Sequence, residues 1–324
     1  MIISKDIRQK ISIDIQKKLL CPSTKGQLKQ NGEYLESVID SSIRYPIIDG
    51  TPVLINNDHS LFSIDDFVHK KNTTFNLNSE KENIIKKIIR ELIPKTDANI
   101  KSKGNYDKIA SLLPKNSKIL VVGGSIKGQG MDSIYDNESF EIVSSDVTFG
   151  EYTDIICDAH DLPFQDNTFD CVIVQAVLEH VLEPRRCVSE IHRVLKSDGI
   201  VYAETPFMQQ VHMKQYDFTR FTHLGHRWLF NNFEEIDSGP CCGSGMALAW
   251  SYTSFLRSFT SSRVIDRLLI YFARITSFFL KYFDYFLIDK PGAYDAASGY
   301  FFLGRKSQNC LQCEELLQQF KGIQ

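Results

Sequence analysis

The segment 169–207 constrains the fold more than any other part of the chain. An apolar strand pattern starts at Phe169, two helix-like stretches lie at 177–180 and 190–195, and a second apolar run follows the turn at Asp198-Gly199. The order strand, helix, helix, strand is typical of parallel strands that are joined by a helical crossover. The segment therefore predicts part of an α/β domain.

Apolar runs of strand length alternate with helical patterns over most of 118–307. The first run, Lys118–Val122, has four consecutive apolar residues, as expected for a central parallel strand that is buried on both faces. Six further strands are predicted at 140–144, 154–157, 170–175, 199–204, 233–237 and 298–304. This alternation predicts a doubly wound, mostly parallel sheet of seven strands.

The chain has 324 residues, which is enough for a full α/β domain and a smaller unit beside it. Short strand patterns between Pro and Gly turns predict a small β-rich domain over 1–56, and a polar, non-periodic stretch predicts a linker over 57–81. The main domain is predicted over 82–307, and it opens with an amphipathic helix at 84–92. Residues 308–324 are predicted to form a C-terminal tail or helix.

Charge and cysteine content limit the classes of partner. The net charge of −3 provides no global field for a polyanion, so a nucleic-acid partner is not expected. Lys5, Asp6 and Arg8 interrupt the place of a signal-peptide apolar stretch, and the eight cysteines have no regular framework. These features predict a cytoplasmic protein with reduced thiols. Cys310 and Cys313 are interpreted as ordinary helix cysteines, because no second pair completes a zinc site.

A helical insertion is predicted at about 245–290, before the last strand. Its stretch 264–288 is very apolar, and Arg267, Arg274 and Lys281 recur every seven residues, which on a helix makes one basic stripe. Such a helix packs on the domain with a solvated basic edge, or it lies in a membrane interface and holds the protein near a lipid-linked ligand. The uncharged runs are too short to span a bilayer. Peripheral contact at the inner membrane face is therefore the alternative to an ordinary packed helix.

A glycine-rich turn follows the first predicted strand. Gly123, Gly124 and Gly128 let the backbone approach a ligand, and Ser125 lies inside the same turn. Asp146 lies after the second strand, twenty-two residues beyond Gly124, where its carboxylate can accept the hydroxyl groups of a ribose. The turn and the aspartate predict a nucleotide-type cofactor, but both nicotinamide and adenosyl cofactors fit them.

Three further motifs resemble class I S-adenosylmethionine (SAM) dependent methyltransferases of the broad group that modifies small molecules, quinones and sugars. They are the stretch 157–164 with Asp166 and 169–170, the run 178–180, and 193–195. The resemblance implies SAM as the cofactor and a Rossmann-like methyltransferase fold over about 118–306. The cofactor-binding residues that it and the turn predict are Gly123, Gly124, Ser125, Gly128, Asp146, Asp158, Ala159 and Gln175.

The first-strand motif departs from this family. Members usually have an acidic residue at the position of Val121 and glycine at the position of Ser125. The acid normally helps to hold the methionine part of SAM. Without it, the methyltransferase activity could be weak or lost. Gly128 and Gly130 are expected to restore the tight turn in a shifted register.

The N-terminal segment resembles the zinc-ribbon-related small activator protein of several methyltransferases. The resemblance covers 19–54 and rests on the Leu19–Gly26 and 45–54 patterns. Zinc-bearing relatives have Cys-Pro-x-Cys where this sequence has Cys21 and Thr24, so a four-thiolate site is not expected. A generic β-hairpin docking module is the alternative.

Candidate catalytic residues follow the fourth and fifth strands, at the edge where open α/β sheets bind ligands. His180 is a candidate base or a structural hydrogen-bonding residue. After the fifth strand, His212 could take a proton, Asp217 could orient it, and Arg220 could bind an acceptor carboxylate or phosphate. The alternative is an ion pair between Asp217 and Arg220 beside exposed histidines. No metal site is predicted, because the spacings of His212, Asp217, His223 and His226 match no defined site.

Together these features predict a methyltransferase that transfers a methyl group from SAM to an O or N atom. The predicted acceptor is a small molecule, a sugar or a lipid-linked saccharide. Two alternatives stay open: a degenerate SAM-binding module that holds a partner, and an RNA methyltransferase. No sequence pattern predicts an oligomeric state.

Overall fold

The computed structural model describes residues 11–71, 73–74 and 93–323. These residues form one sheet of eleven strands, in the order β1-β2-β3-β4-β7-β6-β5-β8-β9-β11-β10. In chain order the strands are β1 Leu28–Asn31, β2 Tyr34–Ser37, β3 Arg44–Ile48, β4 Thr51–Leu54, β5 Lys118–Val122, β6 Glu141–Asp146, β7 Ile155–Cys157, β8 Phe169–Gln175, β9 Leu195–Pro206, β10 Phe233–Cys242 and β11 Gly299–Lys306. The sheet is thus longer than the predicted seven strands, since four strands precede Lys118.

Parallel pairing organises the centre of the sheet, and its last strand reverses. β4 and β7, β7 and β6, β6 and β5, β5 and β8, and β8 and β9 are parallel pairs. β11 is inserted antiparallel between β9 and β10. The predicted α/β architecture with parallel strands is confirmed.

Helices cover both faces of this sheet. In chain order they are α1 Ile13–Gln16, α2 Ile64–Val68, α3 Ser102–Leu112, α4 Asp132–Tyr135, α5 Pro184–Val194, α6 His223–Leu229, α7 Ser244–Arg257, α8 Arg263–Ser277, α9 Leu280–Leu287, α10 Pro291–Ala296 and α11 Cys313–Leu317. Alternate residues of β5 divide between two cores: Leu120 packs in the cluster with α5, and Ile119 in the cluster with α3 and α4. Burial on both faces explains why β5 and β8 are continuous apolar runs.

The N-terminal strands continue the main sheet. β4 pairs with β7, and Leu54 lies beside Cys157 in that register. Cys21 Sγ lies 3.2 Å from Tyr45 Oη, and Thr24 Oγ1 lies 3.1 Å from Ser37 Oγ, so hydrogen bonds hold the turn from Cys21 to Thr24. The segment therefore ends beside a strand that leads into the predicted cofactor site.

The predicted linker is partly ordered structure. Ser63 and Asp66 form a capping box at the start of α2, and Phe62 and Phe67 pack in a buried cluster with Ile156 of β7. The sequence did not indicate this helix, because five residues are too few to establish a visible period. The predicted helix at 84–92 lies outside the described residues.

Two local predictions were also wrong. Residues 177–180 form a turn after β8 instead of a helix, and Ala176 before it has a positive φ of 54°. β10 ends at Cys242, five residues beyond the predicted strand 233–237, and includes Pro240 and Cys241. Because β10 is an edge strand, the N–H that proline lacks is not required for pairing on its outer side.

The insertion between β10 and β11 is held by a buried carboxylate. It consists of α7 to α10, and the predicted apolar stretch 264–288 is divided between α8 and α9. Asp284 of α9 is fully buried and accepts hydrogen bonds from the N–H groups of Gly245 (2.6 Å) and Met246 (2.9 Å). These N–H groups begin α7 and have no partner within the helix, so Asp284 caps it. Among the described residues, no helix combines the length and apolarity needed to cross a membrane.

Candidate active site

A cavity of about 400 Å³ lies at the carboxyl ends of β5, β6, β8 and β9. This volume falls within the range of small-molecule sites, and this edge of an open α/β sheet is where ligands bind. Its walls include seven of the eight predicted cofactor residues: Gly123, Ser125, Gly128, Asp146, Asp158, Ala159 and Gln175. The predicted catalytic residues His180 and His212 line it too.

The glycine turn is fixed by backbone contacts at one end of the cavity. Gly123 has a φ of +76°, and a Cβ there would lie 2.2 Å from Val177 Cγ2. Gly123 and Gly124 donate their N–H groups to Ser145 O, and Ser125 donates its N–H to Asp146 Oδ2 at 3.0 Å. Burial raises the pKa of Asp146, against the opposing hydrogen bond from Ser125. The turn therefore needs glycine at 123 and holds Asp146 at the cavity wall.

Asp158 is tied to both the N-terminal segment and the next turn. Its Oδ1 lies 2.6 Å from the ring Nδ1 of His160 and also accepts a hydrogen bond from the backbone N–H of His160. Its Oδ2 accepts a hydrogen bond from the Ser60 hydroxyl at 2.5 Å. His160 Nε2 accepts the N–H of Glu183 at 3.1 Å, so the ring carries its proton on Nδ1. Burial alone would raise the pKa of Asp158, but the contacts with His160 and Ser60 outweigh it and lower the pKa.

A buried polar cluster lies beside the glycine turn. Glu204, at the end of β9, accepts hydrogen bonds from Asn99 Nδ2 (2.6 Å), Gln175 Nε2 (2.9 Å) and the Tyr202 hydroxyl. Burial raises the pKa of Glu204. A Cβ on Gly128 would lie 2.0 Å from Gln175 Oε1, so the turn packs directly against this cluster. Asn99 and Glu204 both line the cavity.

Glu179, His180 and His212 meet at another part of the cavity wall, which we call the histidine end. Glu179 Oε1 lies 3.6 Å from His180 Nε2 and 4.0 Å from His212 Nε2. Burial raises the pKa of Glu179 to about 8 and lowers the pKa of His180 to about 4. The end of the cavity thus has two imidazoles and one carboxyl group within reach of one small ligand.

Arg220 does not have the predicted role. Its guanidinium makes a bidentate ion pair with Asp217 and donates to the backbone oxygens of Gln209, Thr219 and Gln210, which uses all five N–H groups. Neither Asp217 nor Arg220 lines the cavity, and none of the guanidinium donors is left for an acceptor carboxylate or phosphate. This pair instead holds the loop that carries His212.

Asp217 contacts both the backbone and the ring of His212. Asp217 Oδ2 accepts a hydrogen bond from the backbone N–H of His212 at 2.8 Å and lies 3.3 Å from the ring Nδ1 of His212. Burial would raise the pKa of Asp217, but the hydrogen bonds from Arg220 and His212 lower it well below its usual range. His223 and His226 are buried apart from this end, against Tyr294 and Phe230 respectively, so the alternative of exposed histidines was wrong for them.

Sequence reasoning missed several residues of the site. Glu179 lies in the run 178–180, and Glu204 ends the predicted strand 199–204. An acidic residue directly after an apolar run could therefore have marked both as site residues. Leu61 and Phe62 also line the cavity, although they fall in the predicted linker. Nothing in their local pattern marks them as site residues.

Residues 135–203 match the methyltransferase domain family model. A demethylmenaquinone methyltransferase of Clavibacter sepedonicus is 50% identical over 42 residues, which cover 13% of this chain and 17% of that protein. A demethylmenaquinone methyltransferase of Thermotoga maritima is 28% identical over 138 residues, which cover 42% of this chain and 55% of that protein. The chain thus spans about half or less of the length of these curated relatives.

Solved structures give a weaker likeness. Phosphoethanolamine N-methyltransferase 2 of Haemonchus contortus, in complex with SAM, aligns with a TM-score of 0.43 and 14% identity over 64% of this chain and 53% of that chain. The comparison therefore rests on the match to the family model. The matched residues 135–203 contain β6, β7, β8 and most of β9, together with Asp146, Asp158, Glu179 and His180. This part of the chain is similar to methyltransferases.

Proposed function

We propose that this chain is a methyltransferase that uses SAM to methylate an O or N atom of a small-molecule, sugar or lipid-linked acceptor. The observation that carries the proposal is one cavity lined by two different groups of side chains, of which Asp146, Asp158, Glu179 and His180 lie in the region that matches the methyltransferase domain. One group is the glycine turn with Asp146 and Asp158, and the other is Glu179, His180 and His212. Such a cavity can hold a nucleoside and an acceptor side by side.

The cofactor would lie along the glycine turn. Asp146 would accept the ribose hydroxyls, and Asp158 with Ala159 would contact the adenine. Asp158 lies in a region where Ser60 and His160 already fix its carboxylate, so it is preorganised for recognition. Bound SAM supplies an electrophilic methyl group, and the protein positions the acceptor in line with it.

Glu204 would compensate for the missing acid at Val121. A methionine ammonium group needs a carboxylate partner, and Val121 cannot supply one. Glu204 lies two strands away in the sheet, where Gln175 links it to the glycine turn through Gly128. The altered first-strand motif is therefore compatible with SAM binding, since a different strand brings the charge.

The acceptor would bind at the histidine end. Glu179, His180 and His212 provide the groups that can take the acceptor's proton. Asp217, held by Arg220, would keep His212 in its orientation. Demethylmenaquinone, which the curated relatives name, is a further acceptor to test. Because a quinone-modifying relative is named a C-methyltransferase, its methylation would replace the proposed O or N acceptor atom with carbon.

Binding and turnover test this function separately. Calorimetric titration of the full chain with SAM is expected to show one site, and labelled SAM should transfer its methyl group to an acceptor in a cell-envelope extract. His212→Ala is expected to lower turnover more than SAM affinity. Binding without turnover on any acceptor pool would favour a SAM-binding module, and methyl incorporation into bulk RNA would favour an RNA methyltransferase.

We also propose that α8 and α9 contact an anionic membrane on its cytoplasmic side. Leu268 and Phe272 are 62% and 52% exposed, and Arg267 beside them is exposed. An apolar face with basic neighbours suits an anionic lipid surface and would bring the site near a lipid-linked acceptor. Vesicles with phosphatidylglycerol should sediment the protein and pure phosphatidylcholine vesicles should not; equal sedimentation of the Leu268→Ser/Phe272→Ser variant would refute the contact.

A further inference from the structure

The carboxyl group of Glu179 has no hydrogen-bond partner, although it is almost completely buried. The residue is 1% exposed, and neither Oε1 nor Oε2 has a hydrogen bond in the part of the chain that the structure describes. A buried polar group without a partner costs free energy, and buried carboxylates are normally paired, hydrogen-bonded or bound to a metal. Because Glu179 lines the cavity, a ligand there can supply the missing partner.

The imidazoles of His180 and His212 both face this carboxyl group with their Nε2 atoms. His180 Nδ1 lies 2.7 Å from Tyr216 O and donates to it, which leaves His180 Nε2 free to act as a ligand. His212 Nδ1 lies 3.3 Å from Asp217 Oδ2 and 3.2 Å from Gln210 O, which leaves His212 Nε2 free as well. Histidines that bind metals hold their other ring N–H on a carbonyl or a carboxylate in this way.

We propose that Glu179, His180 and His212 bind one divalent transition-metal ion at the acceptor end of the cavity. One ligand atom from each of the three residues lies within 4.8 Å of the other two. With metal–ligand bonds of about 2.0–2.1 Å, neighbouring ligands are about 2.9–3.4 Å apart. The observed 3.6 Å and 4.0 Å separations from Glu179 Oε1 to the two Nε2 atoms therefore need to contract by a few tenths of an ångström to about 1 Å.

The ligand set selects the kind of ion. Two imidazoles and a carboxylate suit zinc, iron or manganese, whereas magnesium and calcium prefer sites built only from oxygen. Three protein ligands leave at least one coordination position open to the cavity. That position would bind an acceptor oxygen and make a hydroxyl group more acidic, so with a metal bound the three side chains would hold the ion instead of taking the acceptor's proton themselves. This assignment of the acceptor class rests on the proposed methyltransferase function, whereas metal binding does not.

Calorimetric titration of the full chain with zinc chloride, after removal of metal by a chelator, tests the site. The Cys310→Ser/Cys313→Ser variant serves as the starting protein, because these two exposed thiols could bind zinc themselves. We expect one zinc ion per chain and no comparable binding of magnesium chloride. Glu179→Gln, His180→Ala and His212→Ala should each weaken zinc binding by at least roughly 100-fold, and Asp217→Asn by about 10- to 100-fold. The matched control is His69→Ala, at an exposed histidine beyond α2, which should bind zinc unchanged.

Two results would overturn the proposal: absence of zinc binding in the starting protein, or equal zinc binding by His212→Ala and the starting protein. His212 is partly exposed, so this variant is informative even if Glu179→Gln fails to fold. Titration with SAM in parallel separates the two proposals. SAM binding without zinc binding refutes the metal site alone, and zinc binding without SAM binding refutes the cofactor assignment.

Discussion

Replacement of Asp146 by alanine should weaken SAM binding without unfolding the chain. Asp146 ends β6 at the cavity wall, and its Oδ2 accepts the Ser125 N–H at 3.0 Å. A carboxylate has about four acceptor positions, so this bond leaves capacity for the ribose hydroxyls of the proposed cofactor. Alanine removes both the acceptors for the ligand and the acceptor for the turn.

The size of the effect follows from the kind of bond that is lost. A hydrogen bond to a charged group contributes about 1.5–3 kcal/mol, which corresponds to a roughly 10- to 150-fold increase in Kd. Asp146→Asn can still accept the Ser125 N–H but has no charge, so its loss of affinity should be smaller, about 0.5–1.5 kcal/mol. The unpartnered Ser125 N–H in Asp146→Ala should also lower the free energy of unfolding by about 1–3 kcal/mol.

Calorimetry with SAM and urea denaturation measure these two quantities on the same samples. Asp289→Ala is the matched control, because that carboxylate is 78% exposed and its described partner is Lys101, away from the glycine turn. An unchanged Kd for SAM in a folded Asp146→Ala protein would refute the assignment of Asp146 to the ribose.

Three further changes test the structure. Asp284→Ala should lower the free energy of unfolding in urea by about 2–4 kcal/mol, since two buried N–H groups at the start of α7 lose their acceptor. A loss below about 0.5 kcal/mol, which is the usual range of surface substitutions, would contradict this. Gly123→Ala should lower the free energy of unfolding by about 1–2 kcal/mol because of the positive φ, and the clash with Val177 should lower it further. This variant should also bind SAM more weakly. A free energy of unfolding equal to that of the wild type would show that the turn adapts. Ser60→Ala should lower the free energy of unfolding by about 1.5–3 kcal/mol through its partly buried bond to the charged Asp158, whereas Ser42→Ala, which loses an exposed bond to Asp40, should change little. Equal losses would refute the difference.

The strands were predictable where burial determines the residue pattern. β5 and β8 are buried on both faces, so their apolar runs mark them in the sequence, and each observed strand from β6 to β11 overlaps a predicted one. The turn at 177–180 was not predictable, because four residues are too few to distinguish a helical period from a turn. Leu178 is buried there by tertiary packing, which gives the same apolar signal as a helix.

The residues of the site were predictable only where a strand end carries them. Asp146 and Gln175 follow from the positions of β6 and β8, since parallel strands bring their carboxyl ends to one edge. Arg220 was assigned to an acceptor because an arginine near a pocket is a common anion ligand. Its role depends on the path of the loop 209–220, which places backbone oxygens around the guanidinium.

The contribution of the N-terminal segment depends on contacts that no local pattern encodes. Ser60 bonds Asp158 across 98 positions, and Asn56 and Lys25 reach Asp161 across 105 and 136 positions. Sequence periodicity reports only on neighbours within one helix or strand, so these contacts were beyond it. They bind the N-terminal segment to the turn that follows β7, and Phe62 adds an apolar wall to the cavity. Since the same residues stabilise this half of the sheet and complete the site, loss of the N-terminal strands should impair the cofactor pocket along with the fold.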